Sequence, residues 1–217
     1  MPEKDNDTKL RIYAVAIALF QEKGFDEVTI RDICAAAEVS KHTFYYYFAS
    51  KDELLRCFHG LPKQFHEELL RDVLAAENFF EQFMLLTSHM TDFFLRMGPE
   101  ISKRVIALDV NRKNDSLDHM RKPHVHDLEH GIIKKAQAAG EIRNQSAPDA
   151  LVAISFGLLF NAVFHWSMHG GTYDLRVAAR AMLEAAFDVR PDLRKAGGVA
   201  FWAHGHSTED PASETQK

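Results

Sequence analysis

The sequence predicts an all-α protein, with a short N-terminal helix-turn-helix module ahead of a larger helical bundle. Three observations carry that prediction. Apolar residues recur at helical spacing along most of the chain, and strand alternation is absent. Glycine and proline fall between the periodic stretches. Near the N-terminus, two short helical patterns flank a three-residue turn, Glu38-Val39-Ser40, which is helix-turn-helix spacing.

The first helix is expected to start at Asp7 or Thr8 and run to Lys23, with Gly24 at its C-terminal cap and Phe25 folded back as the apolar contact. Thr29 and Asp32 form a capping-box pattern that opens a second helix. Ile30, Ile33, Cys34 and Ala37 give it one buried face, so Cys34 reads as a small core residue. A third helix follows over 41–48. Ser50 with Glu53 opens a fourth over 51–59, ending at Gly60 and Pro62. Longer helices are expected over 62–76, 79–97, 100–112 and 117–139, then 148–169 with Ser146 as its cap, and 174–189. The segments are 1–57 for the first module, 58–190 for the bundle, and 191–217 as a mobile tail rich in small and polar residues.

Of the 217 residues, 46% are hydrophobic and 26% charged, which fits a globular chain and excludes collagen-like or low-complexity classes. Two cysteines exclude a disulfide scaffold and make a reducing cytoplasm the default; the polar, acidic stretch 1–8 is unlike a secretory signal. The net charge of −5 argues against a nucleic-acid binder. Its distribution moderates the argument. Residues 28–51 carry Arg31, Lys41 and Lys51 against Asp32 and Glu38, while Glu3, Asp5, Asp7, Glu22, Asp26 and Glu27 precede them.

Function is concentrated in the third helix, Lys-His-Thr-Phe-Tyr-Tyr-Tyr-Phe. At 100° per residue, Phe44, Tyr47 and Phe48 share one side, and Lys41, His42, Tyr45 and Tyr46 share the other. An ammonium, an imidazole and two phenols suit a major groove lined by phosphates. A plain core helix would account for the phenylalanines and leave that polar set unexplained.

The stretch Thr29 to Leu55, ending Ser-Lys-Asp-Glu-Leu-Leu, resembles the signature of TetR-family (tetracycline-repressor) transcriptional regulators, and Ala16 to Phe25 is similar to that family's first helix. The resemblance spans about the first 55 residues. It implies a homodimeric, ligand-responsive repressor of a palindromic operator in double-stranded DNA. It implies that Thr29 and Arg31 reach the DNA backbone and that Ser40, Lys41 and His42 open the recognition helix at base edges. Thr43, Tyr45 and Tyr46 would hold phosphates, and Lys51 would grip one from the fourth helix. The family usually has Gly where this chain has Glu38; in a left-handed conformation Glu costs roughly 1–2 kcal/mol more.

Residues 150–173 contain no Asp, Glu, Lys or Arg. A membrane span is one reading, but Ser155, Asn161, His165, Ser167 and His169 interrupt it and no basic flank adjoins it. A helix apolar all round is expected to face the core on one side and a second subunit on the other. The resemblance likewise puts the dimer interface on 148–169 and 174–189. No membrane partner is expected.

Phe79, Phe80, Phe83, Met84, Met90, Phe93, Phe94 and Met97 read as core or as the wall of an adaptable pocket. The expected pocket is Phe93, Phe94, Met97, Phe160, Asn161, Phe164 and His165, for a largely apolar small-molecule effector, because residues 79–95 and 151–166 contain no Lys or Arg. The fourth helix, 51–59, is the expected sole lever between pocket and recognition helix. His126 with His130 and His165 with His169 stand at i, i+4, and His119 and His124 lie nearby, but no cysteine completes a metal site. Neither metal nor cofactor is expected. No GxSxG, P-loop, HExxH or dinucleotide fingerprint points to an enzyme. The alternative reading is an all-helical binding protein or enzyme whose N-terminal module is not used for specific DNA binding.

Overall fold

The computed structural model describes residues 2–56, 63–110 and 123–196. These residues form ten α-helices: α1 Pro2–Lys23, α2 Ile30–Ala36, α3 Lys41–Tyr47, α4 Lys51–Arg56, α5 Lys63–Ala75, α6 Phe79–Met97, α7 Pro99–Val110, α8 Pro123–Ala138, α9 Pro148–Met168 and α10 Leu175–Ala186. A single 3-10 turn, Pro191–Leu193, follows. The first helix begins at Pro2, ahead of the expected Asp7 or Thr8. Proline suits a first helical turn because its missing N–H would have no partner there. Gly60, Pro62, Cys57 and His119, and the tail beyond 196, lie outside the described residues.

Helices α1 to α3 pack in sequence order. Ile12, Ala16 and Phe20, at a spacing of four, turn inward from α1 and meet Ile33 and Cys34 of α2, Phe44 of α3, and Phe48. Burial pushes the Cys34 thiol up, as suits a core residue. Behind this module, α6 packs on α5, α7, α8, α9 and α10.

Helix α9 is long and apolar enough to cross a membrane by length and composition, yet it is packed against α6, α7, α8 and α10. One side buries Leu151, Val152, Ser155, Leu159, Ala162, Val163, Trp166 and Ser167. Its two buried serines donate to carbonyls of their own helix, Ser155 to Val152 at 2.7 Å and Ser167 to Val163 at 2.8 Å, so neither carries an unsatisfied hydroxyl. Ser146 does not cap α9. Ala147 holds that position without a side-chain bond, and Pro148 supplies the first turn.

Two long-range features close the bundle. The Glu141 carboxylate accepts from the Phe80 amide at 2.8 Å and, with Asn78, caps α6. A lone antiparallel bridge, Ile142 to Val189, ties the α8–α9 loop to the end of α10. Arg180 of α10 forks onto Glu81 of α6 and donates from Nε to Glu184 at 2.6 Å. Glu184 also accepts from the amides of Lys195, at 2.8 Å, and Ala196. The first residues of the expected mobile tail, 191–196, are therefore anchored to the bundle.

Burial pushes the Glu81 carboxyl up, but the Arg180 guanidinium and Lys195 ammonium outweigh it and hold Glu81 below its ordinary value of 4.5. A carboxylate depressed by folding stabilises the protein above the unfolded pKa, and that contribution is lost as pH falls through the folded pKa. Thermal melts should show Tm falling as pH drops below about 4.5. Glu81→Gln should lower Tm at pH 7 and flatten this acid limb; a variant that keeps the wild-type acid limb would contradict the assignment.

Candidate nucleic-acid interface and effector cavity

Local chemistry sets the two faces of α3. The Ser40 hydroxyl caps it, accepting from the Thr43 amide at 3.0 Å and lying 2.8 Å from the Thr43 hydroxyl. Phe44 and Phe48 are fully buried, with ring centroids 5.8 Å apart. Lys41 and His42 are exposed, Tyr45 and Tyr46 are 54% and 69% exposed, and Tyr47 is half-buried against Tyr46. The expected division of faces is thus present, with large phenols held in water beside two basic side chains.

At the entrance to α2, Thr29 and Asp32 complete the capping box: the Thr29 amide donates to the Asp32 carboxylate at 2.8 Å and the Asp32 amide to the Thr29 hydroxyl at 3.2 Å. The Thr29 hydroxyl bond chiefly holds the Asp32 carboxyl below the usual range. Thr29 and Arg31 are both exposed. The turn is made by Glu38 at φ 53, with the Val39 amide donating to the Cys34 carbonyl at 3.0 Å in a Schellman arrangement.

Lys51 has a different setting from the one expected. Its ammonium donates to the carbonyls of Phe25, at 2.8 Å, and Val28, at 2.5 Å, and stands 4.5 Å from the Phe25 ring centre. It closes the α1–α2 loop from inside and does not project as a phosphate grip.

The connection between module and bundle is also broader than one helix. Arg104 of α7 lies over the same Phe25 ring at 4.5 Å and reaches Asp26 at 3.6 Å and Asp52 at 3.4 Å. Gln21 of α1 donates to the Arg96 carbonyl at the end of α6. The fourth helix is therefore not the sole connection; α7 touches the α1–α2 loop and α4 directly.

The seven residues expected to line an effector pocket do not all face one space: Phe160 packs against the core that holds Phe93, Phe94 and Met97, while Asn161 and Phe164 are exposed. Phe93, Phe94 and Met97 are buried in the core, with Phe93 and Phe94 edge to face at 5.1 Å. Asn161 and Phe164 point outward from α9, Phe160 and His165 are half-buried, and His165 stacks on His169 at 6.2 Å. A cavity of about 190 Å³ lies elsewhere, between α6, α9 and α10. Met84, Leu85, Thr87, Ser88, Thr91, Leu159 and Ala179 line it, with Glu81, Arg176 and Arg180, and none of the seven does. Of the aromatic and thioether segment, Met84 alone lines this cavity.

The outward side of α9 carries Ala153, Ile154, Gly157, Asn161, Phe164 and Met168. Ile154, Phe164 and Met168 are 42%, 40% and 57% exposed, an apolar stripe interrupted by Asn161 and left uncovered among the described residues. Nε2 atoms of His126 and His130 both lie 3.8 Å from Oδ1 of Asp149, so this pair faces a carboxylate. Among the described residues, no group of three His, Cys, Asp or Glu side chains is arranged to hold a metal ion.

Two short helices across a tight turn, the second buried by its phenylalanines and open along its basic and phenolic side, define a helix-turn-helix module of the DNA-binding class. Comparison with known proteins agrees. Residues 12–56 match the family described as bacterial regulatory proteins, tetR family. The chain is similar to an uncharacterized HTH-type transcriptional regulator of Mycobacterium tuberculosis, 28% identical over 75% of this chain and 79% of that one. It is also similar to the fatty acid metabolism regulator protein of Bacillus subtilis, 24% identical over 81% and 91%. In three dimensions it is similar to the Bacillus subtilis transcriptional regulator FadR in complex with stearoyl-CoA: TM-score 0.59, 22% identity, 82% of this chain and 97% of that one. Residues 12–56 are thus similar to the DNA-binding module of the tetR family, and the fold of the remaining helices is similar to that of regulators of that kind.

The left-handed turn yields a stability prediction. Glycine adopts φ 53 without the Cβ clash that Glu38 suffers. Glu38→Gly should raise unfolding stability by about 1 kcal/mol, read as a higher denaturant midpoint at unchanged slope. An unchanged or lower midpoint would mean that the Glu38 side chain makes a compensating contact.

Proposed function

We propose that the chain acts as a homodimeric, effector-responsive repressor that holds a near-palindromic operator and releases it when a small, largely apolar molecule binds in the helical bundle. The observation that carries this reading is α3, whose exposed Lys41, His42, Tyr45 and Tyr46 stand on a helix fixed from behind by Phe44 and Phe48. In this reading Ser40, Lys41 and His42 meet base edges. Thr29, Arg31, Thr43, Tyr45 and Tyr46 meet the phosphate backbone. Lys51 serves the site by ordering the loop that positions α2. Residues 1–57 read DNA, and 58–190 sense and pair.

The exposed stripe of α9 supports pairing, as does the exposed Val177 on α10. Complete burial of such a side chain contributes about 1.5–3 kcal/mol, so a second copy offers the stripe much that solvent does not. Stearoyl-CoA bound by the similar FadR protein supports an effector with a substantial apolar part. Arg104 supports a route for control: movement of α7 would carry Phe25 and Asp52 with it, and with them α2 and α4. A tenfold change in operator affinity needs only about 1.4 kcal/mol of difference between two states.

Two measurements test this reading. Footprinting should show a protected near-palindrome with half-sites about 34–36 Å apart, or a multiple of that. Lys41→Ala or Tyr45→Ala should cut specific binding at least tenfold while leaving the helical spectrum unchanged. Protection of no palindrome at any salt concentration would sink the operator reading. In sedimentation, the wild type should run as a dimer at micromolar concentration and Phe164→Asp should shift it toward monomer, because a lone charge is strongly disfavoured in an apolar interface. A monomeric wild type would remove the pairing.

A further inference from the structure

We propose that the cavity between α6 and α10 binds a small amphiphilic carboxylate, whose acid group is held by Arg176 and whose apolar part lies on Met84, Leu85, Leu159 and Ala179. The proposal deepens the effector reading above by naming a site and a ligand class, and it rests on that reading only for its effect on DNA.

Size sets the first limit. A cavity of about 190 Å³ is somewhat larger than the ~150 Å³ apolar cavity that admits benzene. One ring with a short substituent, or a short acyl chain, fits; a stearoyl chain does not. The cavity's own hydroxyls do not set polar recognition. Thr87 donates to the Phe83 and Met84 carbonyls at 3.1 Å, Ser88 to Leu85 at 2.8 Å and Thr91 to Ser88 at 2.7 Å. All three donors are used within α6, so specificity falls to the charged rim.

At that rim, Glu81 and Arg180 are already committed to one another, with Glu184 and Lys195 completing the cluster. Arg176, one helical turn before Arg180, is placed differently. Its Nε donates to Asp92 at 2.6 Å, and neither Nη group has a hydrogen-bond partner among the described residues. Asp92 thereby fixes the guanidinium plane while leaving its fork open. A rigid fork with both Nη groups free matches a carboxylate, which can accept one N–H from each at once. Arg176 is 61% exposed on its side chain, so an acid can reach it from solvent while its apolar part enters between the helices.

The test uses the full chain with benzoate and hexanoate as probes and benzyl alcohol as the uncharged counterpart, read by calorimetry and by amide shifts in NMR. One acid should bind saturably per chain, with shifts centred on residues 84–91 and 176–180. Arg176→Gln should weaken the acids at least tenfold and leave benzyl alcohol unchanged. Ala179→Leu should abolish all three by filling the cavity. If Ala179→Leu does not fold, Ser88→Leu closes the same space from the half-buried side of α6. Absence of saturable acid binding at millimolar concentration overturns the site, as does full binding by a folded filler variant. Equal loss of acid and alcohol in Arg176→Gln overturns the role of the fork. An operator-retention assay run in parallel separates the two readings: intact operator binding with no acid binding removes the site alone, and acid binding with no operator recognition removes the repressor alone.

Discussion

A seven-residue helix cannot hold itself together in water, because nucleation is costly and too few backbone hydrogen bonds follow it. Helix α3 exists only through its context: the Ser40 cap at one end and two phenylalanines withdrawn into the module behind it. Everything that the module offers to DNA depends on that burial. With Phe44 and Phe48 as fixed points, the 100° advance per residue leaves Lys41, His42, Tyr45 and Tyr46 no direction but outward. The aromatic richness of the helix serves two purposes. The phenylalanines supply the core of a module too small to have another, and the tyrosines supply polar tips on rigid, low-entropy stems.

The larger part of the chain is held by a different device. Arg180 joins α6 to α10 through a forked ion pair that is 16% and 14% exposed, and Glu184, 4% exposed, completes it. Charges so deep are tolerable only when each is met; removing one leaves its partner buried and unpaired, a loss of about 3–5 kcal/mol. The same carboxylate gathers the amides of Lys195 and Ala196. The end of the described chain is thus fastened to the charge cluster that binds the two helices together.

Much of this was legible in the sequence. Gly24, Gly98 and Gly140 all take positive φ where helices end, as a glycine between periodic stretches implies. The Thr29–Asp32 box and the two faces of α3 could be read from spacing alone. What could not be read was phase and distance. A helix apolar all round has no moment to say which side faces inward, so its sequence does not reveal that Asn161 and Phe164 face out. Lys51 and Arg104 converge on Phe25 from positions 26 and 79 residues away, and no local pattern announces such a meeting. The charged rim of the α6–α10 cavity was missed for the same reason: Glu81 and Arg180 are 99 residues apart.

The Arg104 joint has one more consequence. Its two carboxylate partners, Asp26 and Asp52, have side chains 83% and 39% exposed, so this part of the contact between bundle and DNA-binding module is a surface ion pair. Such pairs fade with ionic strength, over a screening length of about 8 Å at physiological salt. DNA binding through phosphates fades over the same range as counterions compete. On the proposed reading, dissolved salt acts twice on one molecule: it loosens the grip on the nucleic acid, and it loosens one link between that grip and the bundle. The stacking of Arg104 over Phe25, the Gln21–Arg96 hydrogen bond and the packing of α7 on α4 are less sensitive to ions, and they remain in concentrated electrolyte.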